Sequence, residues 1–136
     1  MKLHGSCLCG NVQITIPDSS QEITVCHCHM CQKFFGGSFL SLQELTADQF
    51  TLTGEESVQR YSSSEWAERG FCKNCGSSLF YHALEGEYFF PTGLFEEIVG
   101  TITEEIFYDK KPDFYQLNNS AKKVTEEEFL THLLKE

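Results

Sequence analysis

Seven cysteines stand in three groups: Cys7-Leu8-Cys9-Gly10, Cys26-His27-Cys28-His29-Met30-Cys31 and Cys72-Lys73-Asn74-Cys75-Gly76. Thiolates are the soft donors that zinc prefers, four to an ion in a tetrahedron, and two cysteines one or two residues apart can place both sulfurs on the same ion. The first and third groups are such pairs, and together they complete a shell. A glycine follows each pair directly, at Gly10 and Gly76, where it permits the tight turn that brings backbone amides toward the thiolates. Cys7, Cys9, Cys72 and Cys75 are therefore expected to close a structural zinc site. Cys26, Cys28 and Cys31 remain, and three protein donors with one position open is the arrangement that separates catalytic from structural zinc. His27 or His29 either fills that position, which makes the second site structural too, or stands outside it, orienting a ligand or shuttling a proton. Two zinc ions are expected in all.

The odd cysteine count and the clustering favour metal ligands over disulfides, which belongs with a reducing compartment. The opening residues Met1-Lys2-Leu3-His4-Gly5-Ser6 carry no apolar signal-like run, and nowhere do some eighteen apolar residues follow one another. The expectation is a cytoplasmic protein with no membrane partner. The formal charge is -10. Nucleic-acid binders display a basic stripe because phosphate neutralisation dominates their affinity, and no such stripe is present, so nucleic acid is not an expected partner. Residues 1–75 carry five basic and eight acidic side chains, against five and twelve in residues 76–136. The cysteine-bearing part is thus the more hospitable to an anionic ligand.

These ligands need rigid elements to hold them, and short β-type runs bounded by turn residues recur along the chain. They are 11–16, 21–26, 38–42, 49–53, 57–61, 79–82 and 87–91. Such spacing predicts an antiparallel all-β architecture, and 136 residues fit a single domain, 1–136. Alternation in Asn11-Val12-Gln13-Ile14-Thr15-Ile16 puts Val12, Ile14 and Ile16 on one face, and Pro17 with Asp18 stops the strand. Trp66 and the pair Phe34-Phe35 are expected in the core. Near the end, Thr125 followed by Glu126, Glu127 and Glu128 forms a capping box before Phe129, Leu130, Leu133 and Leu134, which predicts a short docking helix.

The order Gly5-Ser6-Cys7-Leu8-Cys9-Gly10, Cys26-His27-Cys28 with Cys31, Gly36-Gly37-Ser38-Phe39, Tyr61-Ser62-Ser63, and Arg69-Gly70-Phe71-Cys72 with Cys75-Gly76-Ser77-Ser78-Leu79 resembles the glutathione-dependent formaldehyde-activating enzyme family, which also contains centromere protein V. The likeness runs from about residue 5 to about residue 115. It implies a mostly antiparallel, zinc-stapled β-sandwich or complex β-fold related to methionine sulfoxide reductase B and translationally controlled tumour protein. It also implies a structural zinc on Cys7, Cys9, Cys72 and Cys75 and a second, glutathione-associated zinc on Cys26, Cys28 and Cys31, the division reached from spacing. The chain departs from the family where Lys110-Lys111-Pro112 is followed by Asp113-Phe114-Tyr115 rather than tryptophan, and where Gln32-Lys33 follows Cys31 in place of paired basic residues.

What the resemblance implies chemically is a carbon–sulfur lyase, S-hydroxymethylglutathione synthase-like, whose partners are a small-molecule thiol, glutathione, and an aldehyde such as formaldehyde. A divalent ion lowers the pKa of a thiol it holds, which supplies the nucleophile at neutral pH. Glutathione carries two carboxylates, for which Lys33, Arg60, Arg69 and Lys73 are the candidate contacts. The rival readings are a zinc- and thiol-binding module without turnover and a zinc-stapled protein-interaction domain.

Overall fold

The computed structural model describes residues 1–97, 100–117 and 120–135. Its strands are β1 (Leu3–Ser6), β2 (Gln13–Ile16), β3 (Glu22–Cys26), β4 (Phe39–Leu42), β5 (Thr51–Thr53), β6 (Val58–Ser62), β7 (Ala67–Cys72), β8 (Ser78–Ala83), β9 (Tyr88–Phe89), β10 (Thr101–Ile106) and β11 (Lys122–Val124). Two helices join them, α1 (His29–Phe35) and α2 (Glu126–Lys135). The chain separates into two compact units, Met1–Gln21 with Leu42–Val99, and Glu22–Ser41 with Gly100–Glu136. Among the described residues no helix is long and apolar enough to cross a membrane.

The first unit holds two antiparallel sheets, β1-β2-β5 and β6-β7-β8-β9. The alternation read in residues 11–16 is realised: Val12, Ile14 and Ile16 are buried while Thr15 between them is half-exposed. The strand itself begins at Gln13, because the preceding residues turn around Cys7. Those three side chains pack with Leu3, Leu42, Leu45, Leu79, Phe80, Phe90 and Phe95 in one apolar cluster that also takes in Cys7 and Cys72. Burial at about 25 cal/mol per Å² makes such a cluster the main source of the unit's cohesion. Two ligand-bearing segments are therefore rooted in the core itself.

The second unit is built on the sheet order β11-β10-β3-β4, in which β10 pairs in parallel with both β3 and β11. The mostly antiparallel expectation holds in the first unit, and these parallel pairs are the exception to it. Strands β3 and β10 lie far apart in the chain, and a parallel pair needs a long crossover that local spacing cannot reveal. The strand runs read from the sequence all appear, displaced by no more than two residues at either end, whereas β1, β7, β10, β11 and α1 were not foreseen. Helix α1 lacks the usual signature because its cap is a cysteine: Cys28 Sγ accepts the Cys31 N–H at 3.3 Å.

Helix α2 starts at the expected capping box, with the Glu128 N–H donating to Thr125 Oγ1 at 3.1 Å and the Thr125 N–H to Glu128 Oε1 at 3.0 Å. Its apolar side is less buried than a docking helix requires. Phe129 meets Phe107 at 5.4 Å between ring centroids, but Leu130, Leu133 and Leu134 are exposed. Trp66, expected in the core, is also exposed, on the turn between β6 and β7. Phe34 and Phe35 are half-buried, Phe35 stacking on the buried Phe39 at 3.9 Å. Hydrophobic type is a one-way guide, since much of any protein surface is apolar.

Candidate metal centres

In the first unit the turn after β1 and the end of β7 bring Cys7, Cys9, Cys72 and Cys75 together, all four Sγ atoms lying within 4.8 Å of one another. A tetrahedron with zinc–sulfur bonds of about 2.3 Å has edges of about 3.8 Å. Cys7 and Cys9 are 3.6 Å apart and Cys9 and Cys72 are 3.8 Å apart, so the set has the dimensions of a tetrahedral zinc site. Each knuckle is a tight turn closed by a glycine N–H, Gly10 onto the Cys7 carbonyl and Gly76 onto the Cys72 carbonyl, at 3.1 and 2.7 Å. Both glycines take positive φ, +83° and +79°, which side-chain-bearing residues adopt only at a cost.

The environment favours thiolate at the outer members. The Ser77 hydroxyl and amide hydrogen-bond Cys75 and hold its thiol down at about 5, and the Asn74 side chain with the Asn11 amide lowers Cys9. Burial pushes Cys7 up, against a hydrogen bond from the Val12 N–H at 3.3 Å. Ser77 ties the two knuckles directly, accepting the Leu8 N–H at 2.9 Å while its oxygen lies 3.2 Å from Cys75 Sγ.

In the second unit Cys26 ends β3, Cys28 caps α1 and Cys31 sits in its first turn, and their three Sγ atoms also lie within 4.8 Å of one another. Cys31 and Cys26 are 3.4 Å apart. Their donor chemistry and spacing fit a thiophilic ion. The crowding of Cys28 and Cys31 around it, followed by burial, drives the Cys26 thiol strongly up, so three thiolates here call for a cation between them. Among the described residues neither a histidine nor a carboxylate joins this set.

The two histidines of the loop part company. His29 is exposed on the first residue of α1. His27 is fully buried with both ring nitrogens engaged, Nε2 at 2.8 Å from Glu105 Oε1 and Nδ1 at 2.9 Å from Ser38 Oγ. The cations divide as well. Lys33 is exposed on α1, within the unit that carries the tripod. Arg60, Arg69 and Lys73 belong to the other unit. There Arg60 is paired with Glu68 at 2.5 Å and Glu55 at 3.1 Å, Arg69 is buried over the Tyr81 ring at 5.0 Å, and Lys73 is exposed beside Cys72.

Sequence reading gave no role to Ser38, Tyr115 or Gln32, which it met only as motif residues, and did not single out Glu105 at all. Period-two alternation in Thr101–Ile106 would turn Ile102 and Ile106 inward and Glu105 outward. The register slips between Ile102 and Glu104, and the structure buries Glu105 while leaving both isoleucines half-exposed. An isolated bulge has no reliable local signal.

Residues 2–111 match the family model described as "Glutathione-dependent formaldehyde-activating enzyme". A Schizosaccharomyces pombe protein named as an uncharacterized lyase is 30% identical over 134 residues, covering 96% of each chain. A crystal structure of a Rhodobacter sphaeroides protein aligns with a TM-score of 0.58 at 21% identity, covering 75% of this chain and 97% of that one, which is a likeness of fold.

Proposed function

Since the chain belongs to the glutathione-dependent formaldehyde-activating enzyme family, we propose that it is a zinc-dependent carbon–sulfur lyase or synthase. Its substrate on this reading is the adduct of glutathione, or a similar thiol, with a small aldehyde such as formaldehyde. The observation that carries the reading is the tripod: three thiols gathered within 4.8 Å, with no histidine or carboxylate of the described residues among them. The four-thiol cluster supports a separate structural zinc on Cys7, Cys9, Cys72 and Cys75.

An ion on the tripod supplies positive charge that lowers the pKa of a thiol brought to it. The chain's own residues do the rest. Cys26, Cys28 and Cys31 set the approach. In the synthetic direction the thiolate sulfur bonds to the aldehyde carbon and the carbonyl oxygen takes a proton; the lyase direction breaks the same carbon–sulfur bond. Exposure favours His29 over His27 as the group that holds that proton, because His27 has no free ring nitrogen. Lys33, exposed on α1, is the first choice for a glutathione carboxylate. Arg60 already has two carboxylate partners and Arg69 is buried, which ranks them and Lys73 after it.

We read residues 1–136 as one functional domain, supported by a family match that runs through both units. The antiparallel sheets suit the relation to methionine sulfoxide reductase B and translationally controlled tumour protein. Seven thiols gathered as ligand sets suit a reducing cytoplasm.

The test is the rate of S-hydroxymethyl adduct formation from glutathione and formaldehyde with protein bearing its full metal complement. A rate above the uncatalysed one, lost in Cys28→Ser, is the expected result. Saturable glutathione binding with an unchanged rate would reduce the protein to a thiol-binding module.

A further inference from the structure

Behind the tripod runs a polar chain that the proposed reaction does not use. Glu105 is 1% exposed, and its second oxygen lies 3.0 Å from Lys123 Nζ. An ionised carboxylate only accepts, so His27 Nε2 donates to it, and in the neutral imidazole Nδ1 is then the acceptor. Ser38 then donates to Nδ1 and takes a hydrogen bond from the Tyr115 hydroxyl, its other close neighbour. With that tautomer the links from Tyr115 to Glu105 run in one direction.

The backbone of His27 is pinned as firmly as its ring. Its N–H donates to the Ile106 carbonyl at 3.1 Å, and its carbonyl accepts Gln32 Nε2 at 2.7 Å. Gln32 Nε2 also reaches the Lys110 carbonyl, at 3.0 Å. His27 stands between two of the three tripod cysteines, so these anchors fix the peptide units that aim Cys26 and Cys28. The segment 105–115, which supplies most of them, leaves β10 at Phe107 with φ 54° and ψ 37°, a left-handed backbone unusual for a bulky side chain. Such residues persist where their surroundings over-determine them, and they concentrate at functional sites. A buried hydrogen-bonded pair adds only modest net stability by itself. Its place here, one residue from two ligands, points to geometry.

We propose that Glu105 and Tyr115 are positioning residues for the Cys26–Cys28–Cys31 tripod, acting through His27, a role that rests on the tripod holding an ion as set out above. They touch neither substrate nor ion; they hold the loop in the conformation that presents its sulfurs to one centre.

The test titrates Co2+ into the full-length protein after mild chelation has removed the labile zinc, in competition with a chromophoric chelator, and records the thiolate-to-cobalt absorption. Glu105→Gln is expected to weaken the labile site about 10–100-fold and to shift its absorption. Tyr115→Phe should weaken it about three- to tenfold. The double variant should be little worse than Glu105→Gln alone, since both act through one imidazole. Glu68→Gln, which removes a comparable histidine contact in the first unit, should leave the titration unchanged. Equal affinity and an unaltered spectrum in folded Glu105→Gln would overturn the proposal and leave the metal reading standing. If that variant does not fold, Tyr115→Phe decides by the same criteria. Wild-type protein that holds one ion in all and takes up no Co2+ after chelation overturns the metal reading and this proposal together.

Discussion

The two cysteine centres are built on opposite plans. The first draws its ligands from knuckles 63 residues apart, Cys9 and Cys72, and two of its four cysteines lie inside the apolar cluster of the first unit. The second draws all its ligands from residues 26–31, and what surrounds it is a hydrogen-bonded polar chain. Where ligands come from distant segments, an ion acts as a cross-link and its binding energy is folding energy. Where they come from one short loop, the ion closes almost no chain, and its loss leaves the fold largely as it was. The comparison separates a centre that makes the scaffold from one that the scaffold presents.

The strongest challenge to that contrast is Cys72→Ser. The residue is fully buried, and its loss should remove the tightly held zinc and abolish the cooperative thermal transition, as seen by near-UV circular dichroism and zinc content per chain. Survival of a cooperative transition would mean that the apolar cluster, not the ion, holds the unit. Cys28→Ser should instead keep the transition within a few degrees of wild type while zinc content falls from two ions to one. Equal loss of stability in the two variants would erase the distinction.

A gentler probe addresses the knuckles. Gly76→Ala places a Cβ on a residue at φ +79° with open space around it, so the conformation alone is strained and the expected cost is about 1–2 kcal/mol in denaturant unfolding. Gly93→Ala, where a Cβ also meets nothing but φ is not positive, serves as the neutral control.

The smallest effect lies at Glu68, which belongs to neither cysteine set. Burial raises its carboxyl, but hydrogen bonds from His82 and Arg60 outweigh that and hold it below its ordinary value of 4.5. A carboxyl lowered on folding contributes stability that is present above the ordinary value and disappears as pH falls through the lowered one. Glu68→Gln should therefore cost about 1 kcal/mol near neutrality and progressively less in acid, measured as the difference between wild-type and variant unfolding curves. A gap that stays constant with pH would show that the contact is not ionic.

Local grammar carried much of this in the linear chain. The cysteine groups, their glycines, the capping box at Thr125 and the inward face of Val12, Ile14 and Ile16 depend on neighbours a few residues apart, and residue spacing expresses such relations directly. Even the pairing of the first and third groups was legible, because four thiols and one tetrahedron leave few choices.

Tertiary structure alone decided the rest. The parallel pairing of β3 with β10, the burial of His27 against Glu105 across 78 residues, the Tyr115–Ser38 contact and the exposure of Trp66 and the α2 leucines have no local correlate. The reason is physical. A thiol announces its metal chemistry by type and spacing. A histidine or a glutamate acquires its role only from what distant chain folds against it, and in this protein a one-residue slip in β10 turned a carboxylate inward to meet the ring.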